Sequence, residues 1–243
     1  NGTNINAACG STQPENLQKY VLETGADIGL AFDGDADRLI AVDEKGQVTD
    51  GDQIMAICAF DMKQRGALKE DTVVVTVMSN LGLEIALKEA GCQIVKTKVG
   101  DRYVLEKMLE KGYNLGGEQS GHIIFLDHST TGDGILTALQ LLSVMKRENK
   151  KMSQLANVMK KFPQILVNAK VNERNKKDYE KDPVVQEEIK KIESKLQNKG
   201  RVLIRPSGTE PLVRVMIEGE EQREIEEYAV RLAHIIEERL SNQ

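Results

Sequence analysis

With 243 residues, 40% of them hydrophobic and 29% charged, the chain has the make-up of an ordinary globular protein and exceeds the usual single-domain size. A net charge of −5 argues against a general nucleic-acid binder, and no apolar run approaches the about 18 residues of a membrane span. Cys9, Cys58 and Cys92 are odd in number and far apart, so they read as reduced thiols in apolar surroundings of a cytoplasmic protein rather than a disulfide framework or a zinc site.

The opening NGTNINAACGST has no initiator Met, no signal-peptide character and no obvious element, and it reads as the interior of a longer protein. Pro14 then opens a helix over PENLQKYVLETG, with Leu17, Val21 and Leu22 expected on one face and Gly25 as its stop. DIGLAF (27–32) and RLIAVD (38–43) read as short strands. GDQIMAICAFDMKQRG (51–66) is helical, with Ile54, Ile57, Cys58 and Met62 at helical spacing. TVVVTV (72–77) has the β-branched character of a buried parallel strand and leads into the helix LGLEIALKEAG. CQIVKT, the helix DRYVLEKMLEKG and the strand-like NLGGEQ complete a β-α-β-α-β rhythm, which predicts a layered α/β domain over about 51 to 160. TGDGILTALQLLSVMKRE is a strongly amphipathic helix, and MSQLANVMKKF a shorter one.

Composition changes after Phe162–Pro163. Residues 170–200 are dense in Lys and Glu, a pattern expected of a solvated helix face with pairs such as Glu187–Lys191. The strand-like RVLIRP and LVRVMIEGE precede a last helix, EQREIEEYAVRLAHIIEERL. These predict a small α+β unit from about 164 to 243.

Three loops carry chemistry. In AFDGDADRLIAVD, Asp33, Asp35 and Asp37 would repel one another unless a cation sat between them, and a hard divalent ion such as Mg²⁺ suits three carboxylates. A solvated acidic turn is the plain alternative. An EF-hand reading, with Glu44 at the twelfth position, fails because Arg38 stands where the loop needs Gly and strands flank it. A phosphatase with a nucleophilic aspartate remains a rival. In GGEQSGH (116–122), glycines flank Glu118, Ser120 and His122, and a carboxylate and a hydroxyl two residues apart can grip vicinal sugar hydroxyls. A Gly-rich turn would account for the same residues. In RPSGTEP (205–211), Arg205, the hydroxyls of Ser207 and Thr209 and the backbone N–H groups around Gly208 suit a phosphate, with Arg214 near by. A simple hairpin is the competing reading.

Taken together, DGDADR, GEQSGH and RPSGTEP, with KVGDRYVLE (98–106) and HSTTGDGI (128–135), resemble the α-D-phosphohexomutase family over the whole chain, and most of all its bacterial hexosamine-phosphate branch. The resemblance implies an α/β fold: mixed-sheet α/β/α domains of the phosphohexomutase type, followed by a small α+β C-terminal domain. Residues 1–50 would end a second domain, 51–161 would form a third and 164–243 a fourth. It implies that Asp33, Asp35 and Asp37 hold Mg²⁺. Glu118 and Ser120 would bind sugar hydroxyls, and Arg205, Ser207, Gly208 and Thr209 the substrate phosphate. Arg38 and Arg102 would assist with phosphate charge or proton transfer. The implied partners are a hexosamine phosphate and the remaining N-terminal domains of the same protein, with no nucleic acid or membrane, and the resemblance allows a homodimer. The family's reaction runs through a phosphoserine in a loop of the type Thr-Ala-Ser-His-Asn-Pro. No such stretch occurs here. Ser79 and Ser129 are the nearest candidates, and each reads better as a cap or turn residue. The expectation is therefore a chain that folds and binds but lacks the nucleophile. A non-catalytic phosphosugar-binding module and a sister mutase acting on glucose or mannose phosphates stay open beside it.

Overall fold

In the computed structural model, which describes residues 3–197, 199–208 and 210–241, the chain divides into two units, 1–160 and 161–243.

In the first unit, α1 (Glu15–Thr24) ends where Gly25 adopts φ 66°, a left-handed conformation that lets its N–H reach the Val21 carbonyl. Val21 is buried and Leu17 half-buried over Gly29, where any Cβ would lie 2.7 Å from Val21. Leu22, expected on that face, is 58% exposed. Its position, one residue past Val21, turns it about 100° around the helix. β1 (Ile28–Phe32), β2 (Leu39–Asp43) and β3 (Val48–Thr49) form an antiparallel sheet in that order, with Phe32 opposite Leu39. The aspartate-rich segment is therefore the connection of a hairpin.

Asp50 starts α2 (Gly51–Gln64) with a capping box: its carboxylate accepts the Gln53 N–H at 3.2 Å, and the Gln53 side chain accepts the Asp50 N–H at 3.4 Å. The expected stripe of Ile54, Ile57, Cys58 and Met62 is buried, but so are Met55, Ala56 and Ala59 on the other faces. This helix is packed nearly all round rather than amphipathic. β4 (Thr72–Thr76), α3 (Leu81–Glu89), β5 (Gln93–Thr97), α4 (Asp101–Lys111), β6 (Leu115–Gly117) and β7 (Ile123–Phe125) follow. Their sheet has the order β5-β4-β6-β7, with β4 parallel to both neighbours and β7 antiparallel to β6. β7 was not expected from the sequence. Alternate residues of β4 serve opposite faces: Val73 and Val75 pack with α2 and α3, and Val74 with Val104 and Met108 of α4. α5 (Gly134–Glu148) and α6 (Met152–Ala156) close the unit. α6 stops well short of the expected 152–162. Leu39 and Ala41 of β2 belong to the same core as Ile54, Leu83 and Leu141, so this core runs continuously across residue 50.

The second unit is an antiparallel sheet, in the order β8-β10-β9, of β8 (Gln164–Lys170), β9 (Arg201–Pro206) and β10 (Leu212–Glu218). Its core is shared with α7 (Pro183–Leu196) and α8 (Gln222–Leu240). Asp182 caps α7 through the Val184 and Val185 N–H groups, with Pro183 in the first turn. The expected Glu187–Lys191 pair forms at 2.7 Å on its surface. β8 was missed in the sequence.

Candidate functional site

The β4 sheet sends its connections to opposite sides: β5 lies on one flank of β4 and β6 on the other. Such a switch point opens a crevice at the carboxyl ends of the strands, where ligands bind in open α/β sheets. The turn after β6 contains Glu118, and the turn after β5 contains Gly100. These meet there, because the Gly100 N–H donates to Glu118 Oε1 at 3.0 Å.

In the β1–β2 hairpin, Ala36 takes φ 59°, and this left-handed step folds the segment so that Asp33, Asp35 and Asp37 converge. Each offers a carboxylate oxygen within 4.8 Å of the others. Asp33 is anchored by the Arg38 N–H, which donates to Oδ1 at 3.1 Å. The Arg38 Nε stands 3.6 Å from Asp33 and 3.7 Å from Asp37, at ion-pair range but too far for hydrogen bonds. Asp37 Oδ1 is buried and has no hydrogen-bond partner among the described residues. Three hard oxygen donors and one orphaned buried carboxylate oxygen fit a divalent cation such as Mg²⁺. The flanking elements are strands, as the rejection of the EF-hand reading required.

GEQSGH is the turn of the β6–β7 hairpin: Glu118 N–H donates to the His122 carbonyl at 2.9 Å and Gly121 N–H to the Glu118 carbonyl at 3.0 Å. Glu118 and Gln119 are half-buried and Ser120 is exposed. His122, expected at the loop surface, is instead 4% exposed, because its ring is held at both nitrogens: Nδ1 lies 2.9 Å from Asp37 Oδ2, and Nε2 accepts the Gly132 N–H at 3.1 Å. A backbone bond joins the two loops as well, Leu39 N–H to the Gly121 carbonyl at 3.1 Å, and each is tied to the start of a helix: Gly51 N–H of α2 to the Gln119 carbonyl at 3.0 Å and Gly134 N–H of α5 to the Ala36 carbonyl at 2.8 Å. Gly121, at φ 94°, has its Cα so close to β2 that a Cβ would fall 2.1 Å from the Leu39 carbonyl oxygen. Arg102, on α4, is 80% exposed and paired with Glu106 at 2.7 Å, so it lies on the helix surface. Ser79 is buried in the turn after β4 and Ser129 half-buried in a turn, in keeping with the structural roles expected of them.

In the second unit, Arg205 and Arg214 stand directly opposite each other on β9 and β10. Like charges in that position repel and favour an anion between or beside them. Burial, with Arg214 adding to it, lowers the affinity of Arg205 for its proton, and Arg205 Nε is buried with no hydrogen-bond partner among the described residues. Ser207 is buried and its hydroxyl accepts the Glu210 N–H at 3.2 Å, closing the turn; Gly208 is exposed, with open space where a Cβ would be. Thr209 lies outside the described residues. Lys176, not singled out in the sequence, is buried beneath this turn and donates to the Ser207 carbonyl at 3.0 Å. Nothing distinguished it within a Lys-rich stretch.

Models of three phosphoglucomutase/phosphomannomutase domains match the chain: alpha/beta/alpha domain II over 7–46, alpha/beta/alpha domain III over 50–162 and the C-terminal domain over 166–235. The chain belongs to the phosphohexomutase family. As a phosphohexomutase it is 64% identical, over 99% of its length, to a phosphoglucosamine mutase of Alkaliphilus oremlandii, covering 54% of that relative. It is 62% identical, over 99% of its length, to the phosphoglucosamine mutase of Caldanaerobacter subterraneus subsp. tengcongensis, again covering 54%. The chain thus spans about half the length of the curated relatives it matches. Among solved structures, an N-acetylphosphoglucosamine mutase of Aspergillus fumigatus, in complex with GlcNAc-6P and magnesium, superposes with a TM-score of 0.74 at 25% identity over 95% of this chain and 53% of that one. The mixed-sheet α/β/α architecture with its small α+β C-terminal part is the fold expected of the family. No helix among the described residues is long and apolar enough to cross a membrane.

Proposed function

We propose that this chain carries the metal, sugar and phosphate loops of a phosphoglucosamine mutase, an isomerase that interconverts glucosamine 6-phosphate and glucosamine 1-phosphate in the cytoplasm. The observation that carries the reading is the convergence of Asp33, Asp35 and Asp37 in a loop tied directly to the Glu118–His122 turn. Relatives above 60% identity bearing that activity in their names support the choice of substrate, as does Gln119 between Glu118 and Ser120. In domain terms, 1–50 ends the second domain, 51–161 is the third and 164–243 the fourth.

Asp33, Asp35 and Asp37 hold Mg²⁺, which when bound neutralises charge on the transferring phosphoryl group. Arg38 already balances these carboxylates and supplies a cation beside that group. Glu118, pre-positioned by the Gly100 N–H, accepts hydrogen bonds from sugar hydroxyls, and Ser120 adds a second contact. Arg205 and Arg214 neutralise the non-reacting phosphate, and the Gly208 turn lets its backbone approach the anion. Positioning and electrostatics of this kind provide most of the catalysis in phosphoryl transfer. The phosphoserine that donates and recovers the phosphoryl group belongs to a loop that this sequence does not contain.

Calorimetry tests the reading. Mg²⁺ binds the chain, and Asp37→Asn weakens that binding at least about tenfold, a loss of about 1.4 kcal/mol or more. Glucosamine 6-phosphate binds in the presence of Mg²⁺, and Glu118→Ala weakens it without changing Mg²⁺ affinity. Absence of Mg²⁺ binding, or release of inorganic phosphate from sugar phosphates as an aspartyl phosphatase would give, overturns it.

A further inference from the structure

We propose that Lys176 is a positioning residue for the 205–211 turn: it holds the Ser207 carbonyl inward and so turns the Gly208 N–H outward, as a fixed donor to the phosphate. This rests on the phosphate reading of that turn given above and adds the group that orients it. Lys176 is 7% exposed, and its Nζ donates to the Ser207 carbonyl at 3.0 Å from beneath the turn. That carbonyl and the Gly208 N–H belong to one peptide unit. A trans peptide is planar, with its C=O and N–H pointing in opposite directions, and none of the peptide bonds here is cis. With the carbonyl drawn toward a buried ammonium, the N–H faces away from the interior. Gly208 is exposed, and its N–H makes no hydrogen bond among the described residues.

The groups around this peptide are engaged within the turn. Ser207 N–H donates to the Leu212 carbonyl at 2.9 Å, and the Ser207 hydroxyl accepts the Glu210 N–H at 3.2 Å. Lys176 itself is balanced by Glu173 at 2.6 Å, so it acts on the anion through the peptide rather than as a free cation. The same segment grips the turn at both sides: Val171 N–H donates to the Pro211 carbonyl at 3.1 Å and the Tyr179 hydroxyl to the Ile204 carbonyl at 3.2 Å. A buried ammonium carries a desolvation cost that an apolar side chain avoids, but it fixes the peptide plane, which a methyl group cannot do. An N–H already aimed outward needs no reorganisation when the phosphate arrives.

Nuclear magnetic resonance of the chain carrying isotope-labelled glycine tests this at the Gly208 amide, whose signal is identified by its loss in Gly208→Ala. In the wild-type chain that amide is expected to exchange freely with water, and added inorganic phosphate to slow the exchange and move the amide proton downfield. Lys176→Met should shift the Gly208 signal before any phosphate is added and weaken phosphate binding about 10–100-fold, the range for one lost hydrogen bond to a charged group. Lys176→Arg keeps a cationic donor and should restore the signal, with affinity within about threefold of wild type. Melting curves show which variants fold, and if Lys176→Met does not, the wild-type exchange rates and Lys176→Arg decide. Three results overturn the role of Lys176: an unmoved Gly208 signal with wild-type affinity in Lys176→Met, a Gly208 amide already protected in the phosphate-free wild type, or a folded Arg variant as weak as Met. Phosphate that leaves the wild-type Gly208 signal untouched overturns the phosphate reading of the turn itself, a distinct outcome.

Discussion

Cys58 packs inside α2 among Ile54, Ile57 and Met62, and burial pushes its thiol up to about 12, with Asp61 adding to the shift and Arg147 and Arg65 opposing it. The folded protein keeps this proton to a higher pH than the unfolded chain, so the contribution to stability is full below about pH 9 and is lost between about 9 and 12, at most about 1.4 kcal/mol per pH unit. Urea titrations at pH 8, 9 and 10 should show stability falling over the last interval, and Cys58→Ala should remove one proton's share of that fall. Cys92, also raised by burial, stays in both proteins and cancels from the difference, and Tyr179, raised from 10 to about 12, contributes above about pH 10. An unchanged slope in Cys58→Ala would refute the assignment. Cys9 is the exception among the thiols. It is only half-buried, and its sulfur donates to the Asn4 carbonyl at 3.0 Å. At this scale the convergence of Asp33, Asp35 and Asp37 was legible because three carboxylates within five residues are a local electrostatic problem whatever the fold. The His122–Asp37 contact was not, because only the pairing of two hairpins brings those residues together.

Lys176 shows what a short element contributes to a neighbouring hairpin. It follows a single turn of 3-10 helix (Glu173–Asn175), pairs with Glu173 at 2.6 Å, and donates to the Ser207 carbonyl from a side chain only 9% exposed. Lys176→Met keeps the buried methylene length and removes the donor. The variant should cost about 1–3 kcal/mol in urea unfolding, the range for a buried carbonyl left without its partner. It should also weaken glucosamine 6-phosphate binding while leaving Mg²⁺ affinity unchanged. Full stability together with full sugar-phosphate affinity would show that the turn needs no support from Lys176. The elements most clearly read from sequence were those with long periodic patterns and end signals, such as α5, whose Asp133 cap accepts the Leu136 N–H at 2.9 Å, and α4, closed by Gly112 at φ 74°. β7 escaped because Ile123–Phe125 is too short to show a period. β8 escaped because the apolar Leu166 sits on its exposed face, at 50% exposure, beside the inward Ile165 and Val167, so the sequence reads as an unbroken apolar run although the burial alternates. α6 is shorter than its pattern because the apolar residues Val158, Met159 and Phe162 pack from non-helical backbone, where periodicity has no meaning.

Each of the two units has its own core, and the composition change at Phe162–Pro163 falls beside the division at 160/161. No such mark appears near residue 50, where Leu39 and Ala41 pack into the core of the following α/β layers. A shared core leaves the boundary chemically silent. What the whole chain can do follows from what its loops contain. The loops proposed to bind metal, sugar and phosphate are present: the carboxylates, the Glu118 turn and the Arg205–Arg214 pair. Turnover needs a hydroxyl that can carry a phosphoryl group, reachable by substrate and set beside the cation. Ser79 is 3% exposed, Ser129 accepts the Thr131 N–H at 3.3 Å within its own turn, and Ser207 is buried closing another. Ser120 is exposed but lies in the turn proposed to bind the sugar. The purified 243-residue chain is therefore expected to bind glucosamine 6-phosphate in the presence of Mg²⁺ and to produce no glucosamine 1-phosphate, even when primed with a catalytic amount of the hexosamine bisphosphate. A coupled assay for the 1-phosphate measures this. Conversion above the protein-free control would require a phosphoryl carrier within this chain, and phosphopeptide mapping of the reacted chain would then identify it.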